Sequence, residues 1–163
     1  MSTARCEIAP QTNANRAAFL DALAWAEGTD NGRQATTNRG YDVLVGGGLF
    51  TSYATHPNIL VPILRYKISS TAAGRYQLLY RWYAPYAKSL GLSDFSPLAQ
   101  DKIALQQIRE QGALPLIDAG DFELAIAKVR NIWASLPGAG YGQNEQQMAG
   151  LLAAYLRAGG TTK

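Results

Sequence analysis

The segment Phe19-Leu20-Asp21-Ala22-Leu23-Ala24-Trp25-Ala26-Glu27-Gly28-Thr29-Asp30-Asn31-Gly32 decides the fold. Phe19, Leu20, Leu23 and Ala24 recur at helical spacing, which predicts a helix from about Asn15 to Glu27. Gly28 is placed to end it, and Thr29-Asp30-Asn31-Gly32 has the composition of a turn. Glu27 therefore falls on the last helical turn, after Ala24, Trp25 and Ala26, and the next basic residue is Arg33. A carboxyl there is either a solvated helix-end group or, if partly buried, an acid that holds its proton toward neutral pH.

Working outward, residues 1–13 mix polar residues with Pro10 and show no periodicity. They read as a flexible tail ahead of a single domain over 14–163. After the first helix, Tyr41-Asp42-Val43-Leu44-Val45 and Leu49-Phe50-Thr51-Ser52-Tyr53 flank Gly46-Gly47-Gly48, the pattern of a small β-hairpin. Residues 54–73 read as a long irregular segment, the kind that forms binding lips. From Gly74 the chain reads helical to Leu90, with Pro85 a candidate kink. Ser96-Pro97 starts a helix to about Gln111, a short turn follows at Leu114–Asp118, and Asp121 opens a helix through Trp133. A Gly-rich loop over 136–142 precedes a last helix, about Asn144 to Arg157. The expected class is α+β, mostly α, with one small hairpin.

The composition narrows the chemistry. Cys6 is the only cysteine and His56 the only histidine among 163 residues. An internal disulfide and a Cys-rich metal site are excluded, and a Ser-His-Asp triad would have to use a histidine beside Pro57 in a loop. No metal or cofactor is expected. The net charge of +3 is too small to argue for nucleic acid. Its distribution is uneven: Val43 to Ser93 holds no carboxylate, yet includes Arg65, Lys67, Arg75, Arg81 and Lys88. That band is either a solvated basic face or a surface for an anionic polymer. The absence of an apolar segment in residues 1–15 leads us to expect synthesis in a cytoplasm and no membrane insertion.

Two further segments have the composition of ligand-binding loops. Ser70-Thr71-Ala72-Ala73-Gly74-Arg75-Tyr76-Gln77 offers small residues for close approach, and Gln77 both donates and accepts hydrogen bonds. Taken alone, it reads first as a tight loop-to-helix turn packed by Tyr76. Leu136-Pro137-Gly138-Ala139-Gly140-Tyr141-Gly142-Gln143 lacks the Gly-Lys-Ser/Thr ending of a phosphate loop, so a nucleotide site is rejected. It reads as a plain connector or as a loop that stacks Tyr141 on a sugar.

The runs Ala24–Gln34, Gly40-Tyr41-Asp42-Val43, Gly74-Arg75-Tyr76-Gln77-Leu78-Leu79 and Asn131–Gln143 resemble the lambda-type endolysin family of lytic transglycosylases, over about residues 14 to 161. The resemblance implies a lysozyme-like fold, with a helical lobe and a small β-hairpin lobe flanking a cleft. It implies cleavage of the bond between N-acetylmuramic acid and N-acetylglucosamine, leaving a 1,6-anhydro end. The family's one catalytic glutamate maps onto Glu27, and its two cleft lips map onto about 57–69 and 136–146. Ser70, Gly74, Tyr76, Gln77, Gly140 and Tyr141 are the expected substrate contacts. The implied setting is a phage-infected host: a monomeric enzyme held in the cytoplasm, released to the periplasm by a holin-type pore, and acting on peptidoglycan strands. The family pattern fails over 57–70, where Ile59-Leu60-Val61-Pro62-Ile63-Leu64 is unusually apolar.

Two other functions remain open on the sequence. A hydrolysing muramidase would pair Glu27 with Asp30 or Asp42, since such enzymes usually set two carboxyl groups about 5–10 Å apart. Asp30 also reads as a turn residue, and the side of the strand that Asp42 faces is unassigned. A glycan-binding module would need no acid at all.

Overall fold

The computed structural model describes residues 3–140 and 145–163. Helix α1 spans Ala14–Glu27. The Asn13 side chain caps its start by accepting from the Arg16 amide, and Gly28 ends it in the left-handed conformation. Every residue from Ala17 to Ala24 is buried, Asp21 included. A helix covered all round is a central one. Around it pack α3 (Pro97–Glu110), the short α4 (Leu114–Asp118) and α6 (Met148–Arg157), while α5 (Phe122–Val129) closes on α4. Phe19, Leu20, Leu23, Ile108, Ile117, Phe122, Ile126, Leu136, Leu151 and Tyr155 form this core.

Ser96 caps α3 through the Ala99 amide, with Pro97 in the first turn, as the sequence predicts. The last helix begins at Met148 rather than near Asn144, which lies outside the described residues. The helix after Asp121 stops at Val129, short of Trp133. Asp121 gives it no side-chain cap and pairs instead with Lys163 at 2.8 Å.

The β lobe differs from expectation. Over 41–53 there is no ladder, only one bridge between Val43 and Leu49 around the 3-10 turn Val45–Gly47. The backbone of 43–45 is drawn elsewhere: Val45 N–H donates to Ala72 O at 3.0 Å, and Gly74 N–H donates to Val43 O at 2.9 Å. The hairpin lies inside the segment expected to be irregular. Strand β1 (Val61–Ile63) pairs antiparallel with β2 (Ile68–Ser70). Pro62 is tolerated because a two-stranded sheet leaves one side of each strand unpaired. Helix α2 begins at Tyr80 and ends at Leu90. Residues 74–79 are not helical: Gly74 (φ +84°) and Gln77 (φ +56°) make a tight turn, across which Ala73 and Leu78 exchange both backbone hydrogen bonds. A second apolar cluster of Leu44, Phe50, Ala73, Leu78, Tyr83, Phe95 and Ile103 lies under this lobe.

His56 is buried beside Phe95, Tyr80 and Tyr83. Its Nε2–H donates to Leu78 O and its Nδ1 accepts from the Asn58 amide. Both nitrogens are satisfied in the neutral ring, and burial holds its pKa below the ordinary value. Its role is structural.

The segment before α1 is not a loose tail. Cys6, Ile8 and Ala9 are buried in the main core. Two buried carboxylates hold its backbone: Asp21 accepts from the Arg5 and Cys6 amides, and Asp101 accepts from the Ile8 amide. The reason is long-range: these donors are 15 to 93 residues from their acceptors. Among the described residues, no helix is long and apolar enough to cross a membrane.

Candidate active site

A cleft of about 420 Å³ opens where the end of α1 meets the β lobe. Glu27 and Gly28 come from α1 and its cap, and Val45 and Gly46 from the 3-10 turn. Ile63, Ile68 and Ser70 line it from the hairpin, Gln77 and Leu79 from the tight turn, and Ile132 and Ala134 from the loop after α5. Glu27 is half-buried at this junction, and burial raises its pKa from 4.5 to about 7. The Ser135 hydroxyl has the smaller, opposite effect, favouring the ionised form. That hydroxyl is shielded from solvent and has no partner of good hydrogen-bond geometry among the described residues. Gln146 fixes the loop that carries it: its amide donates to Ser135 O at 2.7 Å and its side chain to Ala26 O at 3.3 Å.

Among the described residues lining this cleft, Glu27 is the one carboxylate. Asp30 sits against Arg5 at 2.8 Å and the buried Arg75 at 3.0 Å. Burial alone would raise its pKa, but the two guanidinium partners hold it below the usual carboxylate value. Asp42 is buried under the Thr36 and Thr37 hydroxyls and the Thr37 amide, which outweigh its burial in the same way. Both are committed to structural partners that favour their charged form, and neither is among the described residues lining the cleft.

The other expected contacts divide. Ser70 lines the cleft, with its Oγ accepting from the Ala72 amide. Gln77 lines it too, but its Nε2 is committed to Val43 O and Gly74 O, so its side-chain carbonyl is the group left for a ligand. Tyr76 does not reach the cleft. Its hydroxyl accepts from Arg75 Nη1 and donates to Asp101, deep in the core. Gly74 is a packing glycine, because a Cβ there would stand 2.3 Å from Gln100 Oε1. The close approach read from the sequence is to protein, not to glycan. Gly140 N–H donates to Glu145, as does Gly138 N–H, so this carboxylate clamps the loop. Tyr141 lies outside the described residues.

Sequence reasoning missed Ser135 and Gln146. Ser135 stands inside the quoted run 131–143, but nothing local marks it as facing Glu27. Gln146 acts across 120 residues on the end of α1, and no spacing rule reaches that far. Arg75, counted with the basic band, is fully buried and paired with Asp21 and Asp30, so it offers no charge to a partner. No cluster of metal-ligating side chains occurs among the described residues.

Comparison with known proteins identifies the family and the fold. The model of the endolysin family matches residues 17–162. The endolysin of Escherichia phage lambda is 61% identical over 153 residues, covering 94% of this chain and 96% of that one. The endolysin of Escherichia phage P2 is 51% identical over 158 residues, covering 91% and 95%. Bacteriophage lambda lysozyme complexed with a chitohexasaccharide superposes with a TM-score of 0.90 at 62% identity, over 93% of this chain and 98% of that one. A second structure of lysozyme from bacteriophage lambda gives 0.86 at 60% identity over the same shares. With its half-buried acid in a cleft between a helical and a β lobe, the chain belongs to the endolysin family of peptidoglycan-cleaving enzymes.

Proposed function

We propose that the chain is a lytic transglycosylase that cuts between N-acetylmuramic acid and N-acetylglucosamine without consuming water. The observation that carries this reading is a single proton-holding carboxyl in a cleft with no second carboxylate among the described lining residues. An acid with a pKa near 7 is protonated in a useful fraction at neutral pH. Glu27 donates its proton to the glycosidic oxygen as the bond from C1 to that oxygen breaks. The resulting carboxylate then takes the proton from the C6 hydroxyl of the same muramic acid, and O6 bonds to C1. The proton count on Glu27 is restored, and the product ends in a 1,6-anhydro ring. An internal nucleophile gains the rate advantage of proximity and removes the need for a second carboxylate.

The complex of lambda lysozyme with a chitohexasaccharide supports a glycan strand as the occupant of this cleft. A hydrolase using Asp30 or Asp42 would need one of them beside the scissile bond, and both are held by other partners. Mass spectrometry of muropeptides released from purified walls tests the reading. Ends lighter by one water are expected, and fully hydrated reducing ends would overturn it. A binding module without chemistry would tolerate Glu27→Gln in a wall-clearing assay. We place the enzyme in the host cytoplasm until a membrane pore admits it to the periplasm, acting there as a monomer. Clearing of cells by the enzyme should then require permeabilised membranes.

A further inference from the structure

The cleft that holds Glu27 adjoins a second cavity of about 390 Å³. The two share Gln77, Leu79 and Ile132. Their linings differ in charge. Apart from Glu27, no charged side chain lines the cleft among the described residues. The second cavity carries Arg81 from α2 and Glu110 from the end of α3, with Trp82, Gln111 and Asn131 between them.

Arg81 is exposed and lies over the Trp82 ring, 5.3 Å from guanidinium carbon to ring centroid. It makes no ion pair among the described residues, unlike Arg5, Arg16, Arg39 and Arg75. Glu110 is exposed too, and its carboxylate accepts from the Tyr86 hydroxyl and from Gln106 Nε2. A guanidinium and a carboxylate thus line one cavity beside the catalytic cleft.

A strand of N-acetylated sugars carries no charge for these groups to recognise. In peptidoglycan the charge resides on the short peptide attached to the lactyl ether of each muramic acid. That stem has free carboxylates and, where a diamino acid is present, an ammonium group. We propose that the cavity bearing Arg81 and Glu110 binds the peptide stem while the neutral cleft beside it holds the sugars. Arg81 would pair with a stem carboxylate through its planar fork, and Glu110 with an ammonium. The enzyme would then read two parts of one substrate in two adjoining compartments of matching polarity. This rests on peptidoglycan as the substrate.

Arg81→Ala tests it, since an exposed side chain is removed without opening the core. Turnover is measured on glycan strands that keep their stems, and affinity is measured by calorimetry on a chitohexasaccharide, which has neither stems nor lactyl groups. The expected result is a rise in KM of about tenfold on the stem-bearing strands, little change in kcat, and an unchanged Kd for the chitohexasaccharide. Arg81→Lys should recover part of the loss, because it keeps the charge and loses the fork. Equal losses in both arms would mean that the cavity holds sugar, and no loss in either would mean that it holds no substrate. Each outcome overturns the proposal. The wild-type product masses are read first on the same strands. Hydrated ends there would sink the transglycosylase reading and leave the stem test standing.

Discussion

Replacing Glu27 by Gln should make the protein more stable and inactive, with a stability gain that depends on pH. In the unfolded chain this carboxyl ionises near 4.5, and in the folded cleft near 7. Between those values the native state binds more protons than the unfolded one, so stability falls as pH rises across that window and levels off above it. The gap, at about 1.4 kcal/mol per pH unit, corresponds to about 3 kcal/mol withdrawn from the wild-type fold by pH 8. Gln keeps the shape and hydrogen-bonding capacity of the protonated acid and has no charge to lose. Relative to wild type, Glu27→Gln should therefore gain about 3 kcal/mol between pH 4 and pH 8, or about 6–12 °C in Tm for a domain of this size. Chemical denaturation of both proteins across that range gives the difference directly. On purified walls the variant should lose at least about a hundredfold in kcat, the usual contribution of a general acid. The wild-type rate should fall as pH rises through about 7, where the acid loses its proton. A stability difference that stays flat from pH 4 to pH 8 would refute the raised proton affinity. Retained lysis would refute the catalytic role.

Three other perturbations probe the neighbourhood. Ser135→Ala removes a hydroxyl that favours ionised Glu27, so the alkaline limb of kcat/KM should move to higher pH and return with Ser135→Thr; a limb that stays in place would show no such link. Asp42→Asn should leave anhydro-product formation at the wild-type order of magnitude, whereas a loss of about a hundredfold or more would point to a second catalytic carboxylate. Arg75→Met leaves the Asp21 and Asp30 carboxylates without their buried cation and should cost about 3–5 kcal/mol in guanidinium denaturation; a change below about 1 kcal/mol would show that the pairs are dispensable.

What the sequence discloses is local. The apolar spacing from Phe19 to Ala24, the left-handed Gly28 and the Ser96-Pro97 start depend on neighbours a few residues away, and each is found where expected. The hairpin was misplaced because Val43 to Tyr53 has the better strand composition, while Pro62 argues against the strand that forms. Leu78, Leu79, Trp82 and Tyr86 share a helical spacing, but Gln77 takes a positive φ and delays α2 to Tyr80. Residues 3–13 carry no periodicity to read, since Asp21 and Asp101 hold them from far along the chain. At the site, Glu27, Ser70 and Gln77 were legible and line the cleft. Tyr76 was legible as part of a motif and misread as to purpose. The Arg75-Tyr76 pair serves the interior, and only the three-dimensional partners reveal it.

That interior pair has a further effect. Arg75 leaves the β lobe to join Asp21 on α1, while Tyr76 and Tyr41 converge on Asp101 of α3. Asp21 and Asp101 also fasten the segment ahead of α1. The apolar clusters of the two lobes are separate, and lobes joined only by chain would melt independently. Here neither can open without stranding buried charge belonging to the other. Unfolding should be one cooperative event, with slow amide exchange in both lobes governed by the same global free energy. If the two lobes open only together, the acid between them keeps the same half-dry setting throughout the life of the folded protein.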